Sequence, residues 1–484
     1  VGVALALSSC SRRENQPRLV LLYATCSLNK EFLSPYNRKV PYTPGLARFA
    51  EGSLVFMRQQ TEAGQSGVAF ASIFSGAQAT RHRVFSHPSR IPDEALLITE
   101  AFASAGYDAH AFLNHAMASA SLNYAQAVPE SQAHSELLDG RSGAFREILR
   151  RLGRDPEYKA FIVTNFTVTH QPYRGWEIQR FCQHHPEECR WRGGPGEFEK
   201  YANLYQKNYM RLARDFRATV RRLGLSGSEV ARLREVAPIL YKADVAHLDA
   251  LFGGVLDAID GEELRGESLI AFTADHGEIH YRENSFFHWT HGYQLAPEVL
   301  SVPLILSGPG AGVPAGRYEA VTRSIDLLPT LAGLAGVPLD PIEGGGIDLA
   351  PAIRGESAPP ELLAFSHTAL FQEAFWQSKR DYRELAALFP EPLPELMWVA
   401  VRERDRFFKL RRLPGQEWST SLFDLASDPG ETRDLYDPDD AQHQEMSKRL
   451  GAYKQALVEA AYESTEVVPR DRALELLRSL GYVE

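Results

Sequence analysis

Residues 268–278 read SLIAFTADHGE. The first half is an apolar run, Leu269-Ile270-Ala271-Phe272, with the length and composition of a strand buried on both faces of a parallel sheet. It passes without a spacer into Asp275-His276-Gly277-Glu278, so that a carboxylate, an imidazole and a glycine stand at the strand's end. In open α/β sheets, ligands bind outside the carboxyl ends of the strands. Asp275 and His276 therefore fall where such a fold does its chemistry. Four further runs have the same character: RLVLLYA (18–24), AHAFLNH (109–115), AFIVTNF (160–166) and VPLILSG (302–308). Helical patterns separate many of them, as with Val245, Leu248, Phe252, Val255 and Ile259 ahead of the strand at 268. The reading is an α/β fold: a large, mostly parallel sheet flanked by helices, followed by a small C-terminal α+β domain.

The chain has 484 residues, enough for one large domain and a smaller one. A net charge of −10 argues against nucleic acid as a partner, because phosphate backbones call for a basic surface. The segment from about 174 to 240 is charged and mostly helical, and reads as an insertion within a domain spanning 17–375. PLDPIEGGGIDLAPAIRGESAPP (338–360) is rich in Gly and Pro and suggests a boundary. Beyond it, WVAVRERDRFFKLRRL (398–413) and STSLFDLASDPGETRDLYD (419–437) read as antiparallel strands and a turn. A helix over roughly 440–462 follows, and 376–484 is assigned to the small domain.

The N-terminus, VGVALALSSCSRRENQP (1–17), is a short apolar run, small residues, Cys10 and a polar spacer. The run is too short to span a bilayer. It reads as the end of a secretory signal, with residues 1–16 as signal remnant and spacer. Leu7-Ser8-Ser9-Cys10 resembles the lipobox of bacterial lipoproteins, which makes Cys10 the lipidation site. The expected location is the cell envelope, facing the periplasm or the surface, with membrane contact through the lipid anchor only. In an exported protein, Cys182 and Cys189 (CQHHPEEC, 182–189) close a short disulfide loop. The alternative, a metal site with His184 and His185, matches no usual zinc spacing. Cys26 is left unpaired.

TADHGE (273–278), HGYQLAPEVLSVPLILSGPG (291–310), SIDLLPTLAGLAGVP (324–338) and LFDLASDPGETRDLYD (422–437) resemble, in order and spacing, motifs of the sulfatase family of the alkaline phosphatase superfamily. TPGLARFAEGSLVF (43–56), ASIFSGAQATRHRV (71–84) and IPDEALLITEAFASAGYDAHAF (91–112) agree. The resemblance implies metal-assisted hydrolysis of sulfate or phosphate esters. A divalent cation polarises the ester oxygens, basic groups stabilise the spreading charge, and an acid protonates the leaving oxygen. Asp275 and His276 match the family's C-terminal pair of metal ligands. His170, in VTHQPY, matches a histidine near the leaving group. His115, in FLNHAM, matches another, with the alignment there also running one residue out of step, which brings in Asn114 as a substrate-binding residue. His291 opens the HG motif as a ligand or proton donor. Any one histidine alone reads as a satisfied polar residue at a strand end; the ordered set carries the resemblance.

The departures are equally specific. In LVLLYATCSLNKEFLSPY (19–36), Thr25 and Cys26 stand where the family places metal-binding aspartates. Calcium is the cofactor by resemblance, but Cys26 as a thiolate suits zinc. Ser66, in GQSGVAFASIFSG (64–76), occupies the nucleophile position, with Val68 and Phe70 in place of the Pro and Arg of the formylglycine signal. Ser66 is thus expected as an unmodified nucleophile. Tyr293 stands where many relatives place a cation that grips sulfate, and is assigned to substrate binding with His291. The expected function is hydrolysis of a sulfated or phosphorylated small molecule or glycan. The alternative is a catalytically silent pseudo-sulfatase, a surface binding lipoprotein. A phosphoglycerol or phosphoethanolamine transferase stands behind both, since the sequence shows no membrane spans.

Overall fold

The computed structural model describes residues 16–214, 216–281, 288–368, 397–412 and 417–462, together with residue 475. Cys10, and with it the lipidation site, lies outside the described residues. No helix among them is long and apolar enough to cross a membrane.

Eight strands form the large sheet: β1 (Leu19–Thr25), β2 (Leu54–Gln60), β3 (Asp108–Leu113), β4 (Ala133–His134), β5 (Ala160–Asn165), β6 (Ser268–Ala274), β7 (Leu304–Ser307) and β8 (Gly316–Arg323). Their order is β4-β3-β5-β1-β6-β7-β2-β8. Five of the seven pairings are parallel; β7 alone runs against both its neighbours. The central strands β1, β5 and β6 are buried throughout, as their continuous apolar runs require.

Side-chain alternation divides two cores between the faces. Leu19, Leu21 and Tyr23 of β1 enter one core with Ile270 and Phe272, while Val20, Leu22 and Ala24 enter the other with Leu269 and Ala271. The first face is covered by helices α1 (Pro44–Glu51), α4 (Gly143–Arg154) and the long α8 (Gly227–Gly261). The second is covered by α2 (Ser66–Ser75), α3 (Ile98–Ser104) and α9 (Leu327–Ala335). Helices α5 (Ile178–His184), α6 (Pro195–Arg214) and α7 (Phe216–Leu223) occupy the charged segment read as an insertion. Helix α8 starts on a capping box, in which the Ser226 hydroxyl takes the Glu229 N–H at 3.3 Å and Glu229 takes the Ser226 N–H at 3.0 Å. It then runs unbroken past position 240.

The small sheet is antiparallel, in the order β12-β11-β10-β9. It consists of β9 (Ala364–His367), β10 (Val399–Glu403), β11 (Arg406–Arg411) and β12 (Ser419–Asp424), with α10 (Ala441–Tyr462) packed on it. Its first strand comes from before position 376. A two-pronged Arg58–Asp405 ion pair, at 2.9 and 3.0 Å, ties it to the large sheet.

Strands β1, β2, β3, β5 and β6 point the same way, so their carboxyl ends share one edge. The stretches that follow them carry Cys26, Ser66, His115, His170 and the Asp275-His276 pair. This topology delivers the site.

Candidate active site

The loop after β1 is fixed by backbone bonds. The Cys26 N–H donates to Phe166 O at 2.7 Å, and the Thr25 hydroxyl donates to the same carbonyl at 3.1 Å. Thr25 is therefore committed to the backbone. Ser27 follows at φ 56°, a left-handed turn, and its N–H donates to Asp275 Oδ1 at 3.1 Å. Tyr241 of α8 braces the loop, donating to Ser27 O at 2.8 Å and accepting from Asn29 N at 2.9 Å.

The end of β6 turns at Gly277, where a Cβ would lie 1.9 Å from Glu298 O. Only glycine fits, which accounts for that residue in the ADHGE stretch. His276 Nδ1–H donates to Gly277 O at 2.8 Å. Its Nε2 therefore presents a lone pair to Ser66 Oγ at 3.0 Å, with Cys26 Sγ at 4.0 Å and Asp275 Oδ2 at 3.4 Å. Asp275 Oδ1 takes the His276 N–H at 2.6 Å as well as that of Ser27, and Oδ2 accepts no hydrogen bond. Burial raises the Asp275 carboxyl, with His276 opposing. Burial, then the Asp275 carboxylate, pushes the Cys26 thiol well above its ordinary value.

Ser66 is the first residue of α2, after Gln65 at the cap. The positive end of a helix lies at its oxygen. Every residue of α2 is buried. Phe70, in place of an arginine, puts its ring 6.0 Å from that of His115.

Three histidines complete the group. His115 Nδ1 accepts from the Met117 N–H at 3.1 Å, so its Nε2 carries the hydrogen, and that N–H has no acceptor. His170 donates its Nδ1–H to Gln171 O. The His170 ring lies 5.9 Å from His115 and 5.1 Å from His291, and the His291 ring lies 4.2 Å from His276. His291 Nδ1 also stands 3.3 Å from Glu278 Oε2 and 3.4 Å from Ser27 Oγ. Burial, then repulsion from neighbouring imidazoles, holds His115 and His291 well below the ordinary histidine value. His170 is lowered by burial to about 4, with the Gln171 bond opposing.

Cys26, Ser66, His115, His170, Asp275, His276 and His291 thus converge. Asn114, next to His115 in the chain, is half-buried, with a buried, unpartnered Oδ1. Tyr293 is packed against an apolar cluster that contains Ile279, Leu295, Val299 and Trp398. Cys182 and Cys189 are joined as a disulfide, and His184 Nδ1 bonds Arg180 O at 2.8 Å. Sequence reasoning missed three participants. Ser27 is a neighbour of Cys26, Glu278 belongs to the quoted ADHGE stretch, and His87, whose Cβ packs against Gly67 of α2, stands in no pattern.

Among the described residues, two groups of side chains could hold a metal ion, Cys26–Asp275–His276 and Cys26–His115–His170. The second is weakened by the His115 tautomer, whose Nε2 bears a hydrogen. The first offers one carboxylate, one sulfur and one ring nitrogen. Calcium takes six to eight oxygens, and this set does not fit it. A cation that accepts thiolate, imidazole and carboxylate does fit.

The sulfatase family model matches residues 20–337. The chain belongs to the sulfatase family. The choline-sulfatase of Rhizobium meliloti (strain 1021) is 25% identical over 286 residues, 55% of this chain and 52% of that protein. The match thus spans about half the length of this curated relative. A solved 2-O GAG sulfatase superposes with a TM-score of 0.60 at 18% identity, covering 94% of this chain and 96% of that one. The phosphonate monoester hydrolase of Agrobacterium radiobacter gives a TM-score of 0.60 at 18% identity, covering 92% and 96%. At these identities the solved structures establish the sulfatase fold alone.

Proposed function

We propose that this sulfatase-family chain hydrolyses a sulfate ester, or an ester of phosphorus, with Ser66 as an unmodified nucleophile. The observation that carries the reading is the Ser66 Oγ–His276 Nε2 contact of 3.0 Å at the positive end of α2. A hydroxyl is activated when an acceptor stands ready for its proton. Attack of Ser66 Oγ on sulfur or phosphorus forms a serine ester and expels the alcohol. Water then cleaves that ester and regenerates the serine. Cys26, Asp275 and His276 would hold the divalent ion, which when bound would take over the His276 lone pair and in its place lower the pKa of the Ser66 hydroxyl beside it.

His115 takes a different role from the acid expected by resemblance. With the Met117 N–H on Nδ1, loss of the Nε2 hydrogen would leave an anion, so His115 donates a hydrogen bond to an ester oxygen as a neutral ring. His170, lowered to about 4, is unprotonated at neutral pH and acts as a base, delivering to the leaving oxygen only a proton it has first gained.

The relatives' names speak of choline, GAG and phosphonate substrates, so a sulfated small molecule or glycan is the proposed class. The Cys182–Cys189 disulfide supports an exported protein, and lipid anchoring at Cys10 belongs to the same proposal. A second reading, a silent binding protein, draws on Phe70 in the arginine position and on the complete burial of Cys26, Ser66, Asp275 and His276, each at 0% exposure. Assays of the chain and of Ser66→Ala on 4-nitrophenyl sulfate, phosphate and phenylphosphonate separate the two. Turnover of at least one ester, lost in the variant, supports the hydrolase. No turnover of any supports the silent reading.

A further inference from the structure

Four donor atoms from three stretches of chain meet in the buried floor of the site. Cys26 Sγ lies 3.2 Å from Ser66 Oγ and 4.0 Å from His276 Nε2. Ser66 Oγ lies 3.0 Å from that nitrogen, which in turn lies 3.4 Å from Asp275 Oδ2. A tetrahedral zinc ion with bonds of roughly 2.0–2.3 Å holds its donors about 3.3–3.7 Å apart. The separations straddle that value.

The hydrogens lead to the same conclusion. His276 Nδ1–H is committed to Gly277 O, so Nε2 points a lone pair inward. Asp275 Oδ1 is satisfied by two backbone N–H groups, and Oδ2 accepts no hydrogen bond. Ser66 has one hydroxyl hydrogen, with the nitrogen at 3.0 Å and Cys26 Sγ at 3.2 Å as its neighbours. Two electron-rich atoms therefore face each other at 3.4 Å in full burial. No lysine or arginine forms an ion pair with Asp275 among the described residues. Buried anions are paired or bind a metal. The orientation of His276 by a carbonyl on its other nitrogen is the arrangement that fixes metal-binding imidazoles.

We propose that Cys26, Ser66, Asp275 and His276 are the four corners of a tetrahedral site for a thiophilic divalent cation of the zinc class, in place of calcium. Binding displaces the Cys26 proton to solvent, and the cation takes the position that the Ser66 hydrogen holds toward His276. This rests on the reading of Ser66 as the centre of the site, but cation binding is measured apart from turnover.

The test uses the full chain, stripped by a chelator and offered zinc, cobalt or calcium. The expected result is one equivalent of zinc or cobalt retained through gel filtration, and no calcium. The cobalt form shows intense tetrahedral bands and a thiolate-to-cobalt charge-transfer band in the near ultraviolet. Cys26→Ser loses that band and binds zinc at least about tenfold more weakly. If Cys26→Ser does not fold, the cobalt spectrum of the unaltered chain decides. Stoichiometric calcium that zinc fails to displace, no retained cation of any kind, or an octahedral cobalt spectrum without the thiolate band each overturns the proposal. A thiolate–cobalt spectrum without ester turnover upholds the metal site and removes the hydrolase reading. Turnover that survives chelation, with no cobalt band, does the reverse.

Discussion

Ser66 Oγ and His276 Nε2 stand 3.0 Å apart although 210 residues separate them in the chain. The contact follows from topology. Strands β2 and β6 point the same way, β6 ends in Asp275-His276, and α2 begins at Ser66 above the same edge. The nucleophile and its acceptor are held by a strand end and a wholly buried helix, so the pair is preorganised.

Phe70 shows why a single reversion will not restore a conventional sulfatase. Its side chain is fully buried in the second core, beside Phe74 and His115. Phe70→Arg would bring a guanidinium into that core with no carboxylate prepared for it. The expected loss is at least about 3 kcal/mol of stability, with no gain in sulfate turnover. Denaturant unfolding checks it, and a stable, faster variant would contradict it.

His115→Phe should remove one hydrogen bond to the ester. A loss of about a hundred- to a thousandfold in kcat/KM is expected, with a lowered thermal midpoint because the buried Met117 N–H loses its acceptor. Because the ring is held neutral far below its ordinary value, its removal should leave the position of the pH–rate limbs unaltered. Disappearance of a limb in this variant would mean that His115 titrates during turnover.

Gly277→Ala tests the turn that aims His276. Its Cβ would meet the Glu298 carbonyl at 1.9 Å and the Val299 Cα at 3.4 Å. Backbone must shift, at a cost of roughly 1–3 kcal/mol or more, and the imidazole shifts with it. Both stability and turnover should fall. A variant that keeps full activity would show that His276 is not positioned by this turn.

Glu62 gives a pH signature away from the site. Burial, then Asp326, raises its carboxyl to about 8, with Arg323 opposing. The folded chain keeps this proton while the unfolded chain releases it above about 4.5. Stability from this group is therefore lost as pH rises from about 4.5 to 8, and changes no further above that. Glu62→Gln should match the parent near pH 4 and exceed it increasingly up to pH 8, by a few kcal/mol at most. Thermal midpoints across that range decide, and parallel curves would contradict the assignment.

Much of this architecture can be read from the chain. Strands β1, β3, β5, β6 and β7 are apolar runs because both faces of the sheet they share are covered. Strands β2 and β8 escape notice for a physical reason. Gln59 and Gln60 are buried by side-chain bonds to Thr322 and Ser366, so a central strand ends in polar residues, and β8 is an edge strand with exposed positions. In the site, the strand-end residues were legible because parallel strands share an edge. The packing of Tyr293 on the apolar cluster under the small sheet was not. Nor was the role of Ser27, which depends on a left-handed backbone angle that a serine does not announce.

The central claim is that Ser66 itself attacks the ester. An activated aryl sulfate or phosphonate, whose good leaving group speeds the first step, should let the serine ester accumulate; quenching, digestion and mass analysis then report on residue 66. The account predicts a peptide containing Ser66 that carries one sulfo or phosphonyl group, and an otherwise plain serine in the resting protein. A resting residue 66 lighter by two hydrogens, the mark of formylglycine, or an adduct formed only elsewhere in the chain, would contradict it.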